Sequence, residues 1–218
     1  MTTIRKLFAV AALATAMPAA FAASTVDLTV SGTIVPASCT PTLGSTNVHF
    51  GKHSVSDLKG DEHTWLGRTE IESTLTVNCA AATLYALRGI DNRSGSVDHN
   101  GYEGPFGLGM TANGEKLGAH YVTLFPALST IDGKAAFATL GNVAGTTWSG
   151  SSSAFTALRN NGNLVGFTDV AGLTTGPIPI QDAVLTIHHV AFIAPTAGLT
   201  LTDEVTLDGS TTIEVVYL

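Results

Sequence analysis

Apolar residues fall on every second position in several stretches of the chain, and this period of two predicts strands with one buried face. Val26, Leu28, Val30, Gly32 and Ile34 form one such row, with Asp27, Thr29, Ser31 and Thr33 between them. Gly32 interrupts the row without a side chain, which suits a close approach of backbones. Val48 and Phe50 predict a short strand that breaks at Gly51. Ile71, Leu75 and Val77 lead into Cys79, with Thr74 and Thr76 on the other face. Leu84–Ile90 and Ala119–Leu128 read as further strands, and Val184–Ile193 is the strongest interior one. The last segments, Leu199–Leu207 and Thr211–Leu218, predict a hairpin across Asp208-Gly209.

Between these runs lie turn signals. His53–Gly67 mixes charges with small polar groups and predicts a loop or short helical turn. Asp91–Gly118 is rich in Asn and Gly, with Phe106, Leu108 and Met110 as a short strand inside it. Ile131-Asp132-Gly133-Lys134 and Asn160-Asn161-Gly162-Asn163 read as turns. Helical periodicity is nearly absent. The sum is an all-β sandwich of short strands with long surface loops. Its final strand runs to the end of the sequence, which predicts an edge filled by another molecule.

The N-terminus changes the picture. Arg5 and Lys6 precede an apolar run from Leu7 to Met17, and Ala20-Phe21-Ala22 fits a small-x-small cleavage site. Residues 1–22 are therefore expected to be a signal peptide, with Ala23 first in the exported chain. Removing Arg5 and Lys6 leaves eight basic and seventeen acidic side chains. With no Lys/Arg cluster to exchange for counterions, nucleic acid is not an expected partner. No later segment is long and apolar enough for a membrane helix. Cys39 and Cys79 both lie in the exported part, where an even count favours a disulfide over free thiols or a metal site.

Candidate chemistry adds little. His188 and His189 are adjacent on a strand and should point to opposite faces, one buried and hydrogen-bonded, one exposed. His49, His53 and His63 lack a zinc-site pattern. Asp57, Asp61 and Glu62 read as a solvated loop. Asp169 and Asp182 are isolated, and Ser151-Ser152-Ser153 lacks the Gly-x-Ser-x-Gly turn. No catalytic, metal or cofactor residues are expected, and the chain is not read as an enzyme. Trp65, Tyr102, Trp148 and Phe155 lie in or near loops, where a glycan or host protein could meet them.

Four features together resemble the pilin-like subunits of the chaperone–usher route in Gram-negative bacteria, nearest to the fimbrial-like proteins of uncharacterised role. A signal peptide precedes the alternating arm Val26–Ile34. Gly32 lies seven residues before Cys39, and Cys39 lies forty before Cys79. A β-strand with Tyr217 as penultimate residue ends the sequence. The resemblance implies an immunoglobulin-like sandwich, over 36–218, that lacks its last strand and is completed by donor-strand addition. It implies a donor arm within 23–35 carrying Val26, Leu28, Val30, Gly32 and Ile34, and an acceptor edge at Ile213, Val215 and Tyr217. The cysteine pair would join the first strand to the end of the second. Partners would be a periplasmic chaperone, an outer-membrane usher and sister pilin subunits. The place would be a fimbrium or the cell surface, reached through the periplasm, with a role in adhesion. The alternative is a self-contained secreted or periplasmic module binding carbohydrate or protein. The arm is short for a donor, since nine residues separate the cleavage site from Gly32.

Overall fold

A computed structural model of the chain describes residues 26, 28–32, 38–67, 71–99 and 104–218. The expected signal peptide, Ile34 and Tyr102 lie outside the described residues. The chain divides into two units, Met1–Val35 and Pro36–Leu218. In the first, Val26, Leu28 and Val30 are 93%, 87% and 86% exposed, and none of them is in a strand. Their alternation therefore does not become a strand here, because strand backbone needs a ladder partner to satisfy its polar groups.

The second unit is a sandwich of two antiparallel sheets with fourteen strands among the described residues. In chain order they begin with β1 (Cys39–Leu43), β2 (Thr64–Leu66), β3 (Glu72–Thr83) and β4 (Tyr85–Asp91). Next come β5 (Phe106–Gly107), β6 (Gly118–Leu124), β7 (Thr130–Ile131), β8 (Lys134–Ala135) and β9 (Phe137–Gly141). The last are β10 (Trp148–Gly150), β11 (Thr156–Ala157), β12 (Leu164–Thr168), β13 (Ile180–Ile193) and β14 (Thr211–Tyr217). One sheet runs β1-β3-β13-β6-β11, with short strands attached to β13 and β6; the other runs β10-β9-β12-β4-β14. β1 and β14 are thus edge strands of different sheets.

β13 organises the first sheet because it is long enough to serve several neighbours. Its Ile180–His188 stretch pairs with β3, and Ile187–Ile193 pairs with β6. Ala183, Leu185, Ile187, His189, Ala191 and Ile193 alternate as buried residues along it. Leu75, Val77 and Cys79 of β3, with Val122 and Leu124 of β6, extend that apolar surface. Tyr85 and Leu87 of β4 and Val165 and Phe167 of β12 meet it from the other sheet. A fully buried Leu or Phe contributes roughly 1.5–3 kcal/mol relative to exposure.

A second, smaller apolar cluster joins Leu66, Leu108, Leu117, Ala191 and Ile193, with Phe50, Leu199, Val205 and Leu207 packed against it. Gly118 stands beside it at φ +137, where a Cβ would run into the Phe192 carbonyl. Substituting Ala there forces strained backbone into a ladder neighbour. Gly118→Ala is expected to cost about 2 kcal/mol, read as a lower urea midpoint with unchanged slope.

Three expected elements are corrected. Leu199–Leu207 forms no strand, and β14 pairs with β4 over seven register positions instead of folding into a hairpin. Fixed polar anchors explain this. Glu115 accepts from the Thr200 backbone and hydroxyl, both at 2.7 Å, and Arg93 grips Asp208 at 2.7 and 2.9 Å. Leu199, Val205 and Leu207 spend their apolar surface on the second cluster. Val48–Phe50 likewise forms no strand, and Phe50 packs inward there. Within His53–Gly67 the expected turn exists, as a 3-10 turn at Val55–Asp57 closed by a Ser54–Asp57 capping box, but β2 follows it. The Ile131–Lys134 turn joins β7 to β8, with Asp132 and Gly133 both at positive φ.

Candidate functional site: an open groove between two sheet edges

The two edge strands bound a groove of about 1320 Å³. Pro41 and Leu43 of β1 and the following stretch to His53 form one lip; Leu199–Ser210 and the start of β14 form the other. This exceeds the roughly 300–1,000 Å³ of a small-molecule pocket and suits a length of chain. The lips approach at both ends. Tyr217 Oη accepts a 2.8 Å hydrogen bond from the Cys39 N–H. The exposed pair Lys52–Glu204, at 3.3 Å, links 45–53 to the opposite lip.

The floor has three zones. Leu43, Leu75, Val122 and Ile213 make an apolar pocket near the disulfide end. Leu66, Leu108, Leu117 and Ile193 make another beyond it. Between them runs a polar belt. Ser73 Oγ meets His189 Nε2 at 2.7 Å, and Thr211 Oγ1 meets His120 Nε2 at 2.8 Å. Ladder register makes this belt, since Ile187 pairs with Ser73 and Leu124, His189 with Val122, and Ala191 with His120. Burial holds His189 neutral, its pKa lowered to about 4, with His120 and His188 adding like-charge repulsion. Burial also lowers the pKa of His120, against the pull of Asp91 and the Gly107 and Phe106 backbone.

Cys39 and Cys79 form a disulfide and face each other in the β1–β3 register. Among the acceptor residues expected from sequence, Ile213 lines the groove, while Ile213 and Val215 both pack on the main core without being fully buried. Tyr217 is half exposed at the groove end. Of the arm residues, Val26, Leu28, Val30 and Gly32 are exposed, and no atom lies within 4 Å of a Cβ built on Gly32.

The belt is not evident from the sequence, where its one signal is His189, which shares the inward parity of Ile187, Ala191 and Ile193. His188 and His189 do point to opposite faces, but His188 is not exposed. It stacks on Phe125 at 3.9 Å and reaches Glu72 at 2.7 Å. Among the other residues weighed, Trp148 folds back over Gly141 and Gly176, and its indole N–H donates to the Gly145 carbonyl. Trp65 stacks on Phe192 on the outer face, near His99, which bonds Tyr121 Oη at 2.8 Å. His63 lies beside Asp98, with its Nε2 3.0 Å from the Asp98 carbonyl. No group of three or more His, Cys, Asp or Glu side chains among the described residues is placed to hold a metal. No helix among them is long and apolar enough to cross a membrane.

The chain is therefore an all-β sandwich whose two sheets leave an open, chain-sized seam. Residues 28–104 match the family model described as a protein of unknown function (DUF1120). The chain is 36% identical over 133 residues to Protein GltF of Escherichia coli (strain K12), an alignment covering 50% of this chain and 52% of that one. It thus spans about half the length of that relative. It is also 29% identical over 223 residues to the Uncharacterized protein YhcF of the same strain, covering 90% of this chain and 92% of the relative. No solved structure matches significantly.

Proposed function

We propose that this chain is a structural, non-enzymatic subunit of a fimbria-like surface fibre, assembled by strand addition through the chaperone–usher route. The observation that carries the reading is the groove. Two sheet edges without a strand partner, β1 and β14, flank a floor of two apolar pockets separated by the polar belt. An open edge is a template for another chain, and strand addition supplies main-chain hydrogen bonds while alternate side chains fill pockets.

The exposed row Val26, Leu28 and Val30 supports donation by the same chain to a neighbour, because apolar side chains so exposed gain by burial. In an added arm Gly32 would cross the polar belt, between larger residues seated in the two apolar pockets. A periplasmic chaperone would occupy the groove first, an usher would hand the subunit on, and a sister arm would replace the chaperone. The fimbrium or cell surface is the resulting location, reached after signal cleavage. A self-contained binding module is the second reading, and the Trp65–Phe192–His99 surface favours it.

Thermal unfolding of Ala23–Leu218 with an excess of a peptide of sequence Ala23–Ile34 tests the reading. At a hundredfold excess over Kd, binding to the folded state alone is worth about 2.7 kcal/mol, a rise of about 5–10 °C. The same peptide carrying Gly32→Leu is expected to lose most of that rise by overpacking the belt. An unmoved midpoint with the unmodified peptide would argue for the self-contained module.

A further inference from the structure

We propose that Tyr217 is the stop for strand addition: an incoming β-segment pairs with β14 over Thr211–Val215 and leaves the β1 edge unpaired at Cys39–Pro41. This rests on the strand-accepting reading and specifies how far, and on which edge, the partner zips.

Backbone parity carries the argument. In β14 the even-numbered residues bond to β4: the Asn92 N–H donates to the Ser210 carbonyl, and the Leu218 N–H donates to the Leu84 carbonyl. Antiparallel ladders alternate, so Thr211, Ile213, Val215 and Tyr217 turn their N–H and C=O groups outward. These groups have no ladder partner among the described residues. In β1 the even residues again face the neighbour, since the Ala80 N–H donates to the Ser38 carbonyl and the Gly44 N–H to the Thr74 carbonyl. The outward residues are then Cys39, Pro41 and Leu43.

Two of those three cannot donate to a new strand. The Cys39 N–H is already given to Tyr217 Oη at 2.8 Å, and Pro41 has no N–H. Proline and short length are recognised ways of blunting a sheet edge. The Tyr217 side chain reaches from one sheet edge to the other, across the path a strand in the seam would take. The Cys39–Cys79 disulfide ties the donating end of that bridge to β3, so the clasp cannot swing aside with β1. The stop also fits the short arm. A ladder ending at Val215 asks for few residues, and the expected donor before Cys39 has few to give.

The stop and the strand-accepting reading separate in one hydrogen-exchange experiment. The exported chain is followed by NMR with and without the Ala23–Ile34 peptide, beside Tyr217→Phe and the double variant Tyr217→Phe/Pro41→Ala. In the free protein, Cys39 amide exchange is expected to be about tenfold faster in Tyr217→Phe than in the wild type. With peptide, the wild type should gain protection at Thr211, Ile213 and Val215 and none at Cys39. The double variant regains both β1 donors and should release the peptide about tenfold more slowly. Equal peptide release from the wild type and the double variant would overturn the stop, as would a Cys39 amide indifferent to Tyr217→Phe. Absence of any gain along β14, in all three proteins, would instead sink strand acceptance itself and the stop with it.

Discussion

Replacing both cysteines, Cys39→Ala with Cys79→Ala, is expected to lower stability by about 4 kcal/mol, because the bond removes the loop entropy of a 40-residue separation from the unfolded chain. In a domain of this size that corresponds to a fall of about 10 °C in the thermal midpoint. The bond does more than shorten the unfolded chain. β1 holds only five residues, pairs with β3 alone, and exposes its other edge to the groove. Without the disulfide its attachment rests on a short ladder and on the Tyr217 clasp. Cys79 is itself in the main core at 1% exposure, so truncation also removes packed sulfur. Urea titration of the double variant checks the loss, and a midpoint within experimental error of the wild type would refute it. Peptide affinity should fall as well, since a frayed β1 leaves one lip of the groove unheld.

Much of the sandwich is legible in the alternation because a half-buried strand writes its geometry into every second residue. Glu72–Thr83 and Ile180–Ile193 are such cases, and Thr74 lies outward as its place in the row requires. The cysteine pair is legible too, from an even count in an exported chain, although Cys39 opens β1, a strand the alternation does not announce, and Cys79 lies inside β3. Alternation fails where side chains outweigh ladders. Leu199, Val205 and Leu207 alternate well enough to read as a strand. Yet Glu115 and Arg93 pin that segment from outside the sequence window, and its apolar residues cover a second core. The arm Val26–Val30 fails for the opposite reason. It has the pattern and lacks a partner, so no strand forms.

The groove is harder to read than any strand. It is a space between elements distant in sequence, β1 near one end and β14 near the other, and no local window contains both. The belt across it depends on ladder register. Nothing local in Ser73 or Thr211 announces that each would meet a histidine from another strand. Only the intrusion of His120 and His189 into apolar rows hints at a polar step inside the sandwich.

That step makes the fold sensitive to acid. His189 is 7% exposed and titrates near 4 when folded, against about 6.5 in an unfolded chain. Above pH 6.5 both states are neutral there, and the residue contributes nothing to pH dependence. As pH falls below that, the unfolded chain takes up a proton the folded one refuses, so stability drops until the folded group protonates near 4. At about 1.36 kcal/mol per pKa unit, the loss reaches about 3 kcal/mol by pH 4. His120 is shifted the same way and for the same reason, so its contribution adds to the loss as pH falls below about 6.5. His189→Gln keeps a group able to bond Ser73 and removes the titration. Urea unfolding at pH 7.5 and at pH 4.5 should therefore show a much smaller acid loss in the variant than in the wild type. Parallel slopes for the two proteins would mean that the imidazole is not held neutral by burial. An added strand would cover the belt further and press both histidines harder toward neutrality. The strand-filled protein should then be more acid-sensitive than the empty one per histidine, even while it is more stable at neutral pH.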